Sequence, residues 1–238
     1  MSTLRILHLY PRELSINGDT GNVTALTQRL RWAGLTSSVW DYEPGGELPD
    51  QVDIVHIGSG PLSAQRAVHA DVLRIADRLR EWRDRQVPII AISGGWQLLG
   101  NTLTTQDQVL EGAGVFPTNA VLGATRRVGE ILVRTQEGVI LAGCENHSAT
   151  TTRVGGIPLG QIVSGHGNNG VEEGVQIGES VGTHVHGALL PMNPTIADRI
   201  LTRVLEIDSM PESLQSARAD RYASFAREAI AGRLKLQL

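Results

Sequence analysis

The sequence has a single cysteine, Cys144, which excludes an internal disulfide and any metal site built from several thiolates. No apolar run approaches the roughly 20 residues that a membrane-spanning helix needs. Residues 1–5 hold no basic segment leading into a long apolar stretch, so no secretory signal is read there. Aromatic residues are only 4%, and Lys235 is the one lysine among 21 basic residues. The net charge of −4 disfavours a protein that grips nucleic acid by its phosphates. Apolar material is ample: 41% of residues are hydrophobic against 19% charged, which excludes a disordered chain. No repeat, low-complexity segment or long linker divides the 238 residues. The expectation is a soluble, cytoplasmic protein built on one large domain.

The apolar pattern predicts an α/β fold. A strand-length run at 4–10 closes at Pro11, and further strands are read at 37–42, 53–57 and 89–92. Between them, Val23, Leu26 and Leu30 recur at helical spacing before Gly34. Val68, Val72, Ile75, Leu79 and Trp82 mark one long amphipathic helix over 63–85. Ile89-Ile90-Ala91-Ile92 is apolar on both faces, as a buried parallel strand is. Strands alternating with helices predict βαβ units in a doubly wound sheet. From 109 to 186 the texture changes to glycines and short β-rich pieces at 130–134, 139–143, 160–163 and 182–185. A helix returns at 193–207, and a charged, helix-prone tail follows Pro211.

The sharpest local signal is Pro88 to Gly100, P-I-I-A-I-S-G-G-W-Q-L-L-G. A buried strand ends at Ser93, two glycines follow, and a helix begins: the layout of a nucleophile elbow. The sharp turn needs small neighbours, and the new helix points amide N–H groups at the site, where they can hold an oxyanion. The plain alternative is a Ser-Gly-Gly turn without chemistry. Thr183-His184-Val185-His186-Gly187 places a histidine beside glycine at a strand end, a good position for a general base. Strand alternation points His184 and His186 the same way; with no third ligand in view, no metal site is predicted. Gly58-Ser59-Gly60 follows another strand, so its amides reach the same sheet edge as the elbow.

Seven pieces stand in the order found in one known family. They are Gly18-Asp19-x-Gly21-Asn22, Gly58–Gly60, Gly94–Gly100 (G-G-W-Q-x-L-G), Arg126-x-x-Gly129-Glu130, Glu145-Asn146-His147, Gly167-Asn168-Asn169 and His186-Gly187. Over 4–207 the sequence resembles the class I glutamine amidotransferases, and among them the cobyric-acid-synthase-like branch that includes GatD-type glutaminase subunits. The resemblance implies a flavodoxin-like fold, mostly parallel sheet with helices on both faces and a β-rich second half. It implies an amidotransferase domain over 1–208 and a C-terminal helical tail over 209–238. It also implies the activity: hydrolysis of L-glutamine to glutamate and ammonia. The ammonia would pass to a MurT-like Mur ligase that amidates D-glutamate in lipid II.

In that family the elbow residue is cysteine and the His-Gly histidine is the base, so the catalytic positions carry over to Ser93 and His186. Gly60 and Gly94 would supply the oxyanion amides, Arg126 would hold the substrate carboxylate with Arg127 as its competitor, and Gln97 would help bind substrate. Asp19, Asn22, Asn168 and Asn169 shape the site or the partner surface, or serve ordinary turns. No cofactor is expected. With no G-x-x-x-x-G-K-[ST] loop here, ATP and acceptor fall to the partner. Ser93 departs from the family: a hydroxyl is a far weaker acid than a thiol, so glutamine hydrolysis should be slow. Either an introduced Cys-to-Ser change silences the site or the natural protein carries serine; the family-like surroundings favour the first. Cys144, in another segment, is not read as the nucleophile. Many family members place an acid two residues after the base, where this chain has Ala188, so a partner chain is expected to supply the carboxylate. Two other readings remain: a serine hydrolase using Ser93 and His186, and a non-catalytic protein that binds glutamine or a partner.

Overall fold

A computed structural model describes residues 3–236; residues 1–2 of the expected amidotransferase domain and 237–238 of the expected tail lie outside them. The chain runs β1 (Leu4–Leu9), α1 (Thr20–Trp32), β2 (Ser37–Tyr42), β3 (Ile54–Ile57), α2 (Leu62–Arg74), α3 (Ala76–Asp84), β4 (Ile89–Ile92) and α4 (Gly94–Leu99). Then come β5 (Thr102–Thr104), β6 (Val109–Glu111), β7 (Thr118–Thr135), β8 (Ile140–Arg153), β9 (Gly160–Ser164), β10 (Glu172–Glu173), β11 (Val175–Ile177) and β12 (Ser180–Thr183). Helices α5 (Leu189–Met192), α6 (Pro194–Leu205) and α7 (Leu214–Arg233) complete it. The first sheet has the order β11-β12-β4-β3-β1-β2. All its pairs are parallel except β11 with β12 at one edge. The second sheet has the order β10-β9-β7-β5-β6, with β8 paired to β7.

Period-two alternation explains the layering. Leu7, Val55, Ile57, Ile89 and Ala91 face Val68, Val72, Leu79 and Trp82 of α2 and α3. Ile6, Ile54, Ile90 and Ile92 face the other way, onto Leu26 and Leu30 of α1 and Ile196 and Ile200 of α6. Ile131, Val133 and Leu141 of the second sheet join that same core. The helix expected over 63–85 is two helices, broken at Ile75 (φ −97°, ψ 2°). Its buried residues keep one phase across the break, which is why periodicity does not reveal it. The β-rich half is more continuous than expected. β7 and β8 form one long antiparallel pair with a register shift between Leu122 and Arg127. Residues 124–129 are exposed and carry no apolar alternation to announce a strand.

The tail is packed onto the body. Arg29, buried on α1, bonds both Asp198 of α6 and Asp220 of α7. Ile230 and Ala231 pack on Leu132 and Ala142, and Arg233 bonds Glu130. No helix among the described residues is long and apolar enough to cross a membrane.

Candidate active site

Parallel strands bring their carboxyl ends to one edge, where ligand crevices form in such sheets. The turns after β3, β4 and β12 meet there, together with the loop between β1 and α1. Ser93 occupies the turn after β4 at φ 44°, ψ −102°, a strained left-handed conformation for a side chain larger than glycine. Its amide donates to Thr183 O at 2.7 Å, which ties the elbow to the end of β12. Both following glycines are required by close approach. A Cβ on Gly95 would lie 2.4 Å from Gly58 O, and one on Gly94 would lie 3.1 Å from Gly60 N. The two expected oxyanion turns are therefore side by side. The Gly94 amide donates to the Ser59 hydroxyl at 3.2 Å.

His186 is fully buried. Its Nδ1 lies 3.0 Å from Asp19 Oδ1, while Nε2 has no hydrogen-bond partner, the Ser93 hydroxyl included. A carboxylate at Nδ1 fixes the proton there and leaves Nε2 as an acceptor. The other oxygen of Asp19 accepts the Ser59 amide at 2.9 Å. One side chain thus links the His186 segment to the Gly58–Gly60 turn. The sequence leaves the orienting carboxylate to a partner chain; in the structure a carboxylate of this chain, Asp19, already lies against Nδ1. Asp19 stands at the N-cap of α1 but makes no capping bond to that helix.

A cavity of about 80 Å³ contains Ser93, Ser59, Gly60, Gln65, Gln97 and Arg126 among its lining. Arg126 donates to Asn146 at 2.7 Å, and Asn146 in turn donates to Asn17 at 3.1 Å. Arg127, on the opposite strand face, is not part of that lining; its charge, after burial, lowers the pKa of His166. Gln97 is buried with an unpartnered Oε1. Asn22 accepts the Leu190 amide at 2.9 Å and so holds the segment after His186. Asn168 brackets Gly174 by both amide atoms, and Asn169 accepts the amides of Val171 and Glu172. Those two asparagines shape turns.

The two histidines of the His-x-His piece do not act as a pair, because β12 ends at Thr183 and strand alternation stops there. His184 stacks on His147 at 3.9 Å and meets Thr151 Oγ1 at 3.0 Å. No cluster of three metal-ligating side chains occurs among the described residues. Cys144 is closer to the site than its segment suggested, since its backbone pairs with that of His186. Burial, then the carboxylates of Asp19 and Glu130, push its thiol pKa up, so it is not an activated nucleophile.

Two buried histidines predict acid lability. Burial holds the pKa of both His56 and His184 well below the ordinary value. Below about pH 6.5 the unfolded chain takes up these protons and the folded chain does not, so stability falls with pH. Each contributes about 1.4 kcal/mol per pH unit, a large share of a typical domain stability of roughly 5–15 kcal/mol. Glu173 opposes part of this: burial raises its pKa, so it gains a proton on folding. Urea unfolding at pH 7.5, 6.5 and 5.5 should show the loss, and a flat profile would refute it.

A family description, the CobB/CobQ-like glutamine amidotransferase domain, matches residues 5–194. The chain is 31% identical over 215 residues to the GatD subunit of lipid II isoglutaminyl synthase (glutamine-hydrolyzing) from Staphylococcus aureus, covering 89% of this chain and 88% of that protein. The same subunit of Streptococcus pneumoniae is 29% identical over 85% of this chain and 81% of its own length. A solved glutamine amidotransferase of Thermotoga maritima superposes with a TM-score of 0.56 at 15% identity, over 98% of this chain and 96% of that one, a likeness of fold.

Proposed function

We propose, since this chain belongs to the CobB/CobQ-like glutamine amidotransferase family, that it is the glutaminase subunit of a lipid II isoglutaminyl synthase. It hydrolyses L-glutamine and hands ammonia to a MurT-like ligase, in the cytoplasm, for amidation of D-glutamate in lipid II. Residues 1–208 are the amidotransferase domain in this reading and 209–238 its helical tail. The observation that carries it is the buried Asp19–His186 pair, its Nε2 free, at the sheet edge that holds the strained elbow.

With cysteine at position 93, His186 Nε2 takes the thiol proton, the thiolate adds to the carboxamide carbon and the oxygen takes the negative charge. The amides of Gly60 and Gly94 hold that oxygen; Gly94 exchanges its Ser59 contact for it. His186 gives its proton to the departing nitrogen, which leaves as ammonia with formation of a thioester. It then takes a proton from water, whose oxygen displaces the sulfur and frees glutamate. Arg126 holds the substrate α-carboxylate and Gln97 lines its path. Ser93 makes the first step slow, because a hydroxyl with no hydrogen bond to Nε2 is not activated. That missing contact also speaks against a serine hydrolase.

The test mixes a Ser93→Cys chain with a MurT-like ligase, ATP, lipid II and glutamine labelled with ¹⁵N in its side-chain amide. Label should appear in the lipid II stem peptide by mass spectrometry. Glutamate release without labelled product would remove the lipid II assignment, and no glutamate release would sink the whole reading.

A further inference from the structure

The buried face of α2 carries Gln65, Val68 and Val72. Two of these positions are apolar and pack in the core; the third is an amide that an apolar side chain of equal length would replace without loss to the helix. Gln65 is 5% exposed and lines the cavity that holds Ser93. Its Nε2 donates to Gly60 O at 3.1 Å and would lie 2.8 Å from a Cβ on Gly94. The side chain therefore stands against both turns of the expected oxyanion hole. Its Oε1 is buried without a partner. A buried carbonyl left unpaired is costly, and folded proteins keep few of them. The bond from Nε2 to Gly60 prevents the amide from flipping, so the oxygen stays as a fixed acceptor.

We propose that Gln65 accepts an N–H of the substrate carboxamide and so makes the site prefer an amide over a carboxylate. This rests on the glutaminase reading above. When the carboxamide oxygen sits on the Gly60 and Gly94 amides, the N–H on the same side as that oxygen points to the flank of the hole. Gln65 stands on that flank. Glutamine presents a donor there, whereas glutamate presents a second oxygen, whose lone pairs oppose Oε1. The same acceptor thus favours binding of the substrate and release of the product.

Calorimetric binding to the chain as it stands, with Ser93 in place, tests this without turnover. Gln65→Met keeps length and removes both amide atoms. Glutamine should bind about tenfold more weakly, glutamate no more weakly than before, and the preference between them should collapse. An unchanged glutamine affinity, or equal weakening of both ligands, overturns the proposal. If the unaltered chain binds no glutamine, the glutaminase reading itself fails, which is a different result. Should Gln65→Met melt early, Gln65→Asn, which draws the acceptor back by one carbon, reads the same ratio.

Discussion

A Ser93→Cys chain should hydrolyse glutamine at least about 10³-fold faster than the chain as it stands. The substitution changes one atom at a position whose backbone is already bent for attack, with φ 44° and an amide bonded to Thr183. A thiol ionises near neutral pH when an imidazole and backbone amides face it, and the thiolate is the attacking species. A serine hydroxyl must lose its proton during attack and needs a base already in contact, yet His186 Nε2 has no partner here. Because Asp19 lies in the same chain, the isolated Ser93→Cys protein should show glutaminase activity before any partner is added. Glutamate release is the measurement. A gain below tenfold, with the fold intact, would mean that position 93 is not the point of attack.

The elbow was legible because its chemistry needs a local pattern: an apolar strand, a small reactive residue, two glycines and a helix, all within Pro88 to Gly100. The parallel sheet was legible for a similar reason, since strands buried on both faces read as unbroken apolar runs. Asp19 was not. An aspartate beside glycines ahead of a helix reads as a turn or a cap, and its true partner lies 167 residues away. Only the structure gives the sign, since Asp19 fills the cap position without a capping bond. The adjacency of Cys144 to His186 escaped for the same reason, because an isolated bridge between distant segments leaves no periodic mark. One amide in an amphipathic helix reads as a surface residue, so Gln65 gives no signal until its burial is known.

Asp19→Asn, placed in the Ser93→Cys chain, should lower kcat for glutamine by about 10²–10³-fold while leaving KM within a few-fold. Both oxygens of Asp19 accept: one from His186 Nδ1, the other from the Ser59 amide at 2.9 Å. An asparagine cannot satisfy both. If its NH₂ faces His186, Nδ1 becomes the acceptor and the ring proton moves to Nε2, where it blocks the base function. If its NH₂ faces the Ser59 amide, two donors oppose each other beside the turn whose Ser59 hydroxyl holds Gly94. Either orientation damages the reacting geometry and spares Arg126, which lies outside this network, so kcat bears the loss. A variant that keeps more than about a tenth of kcat would return the orienting role to another carboxylate, and mixing it with the partner ligase would then show whether that group is supplied in trans.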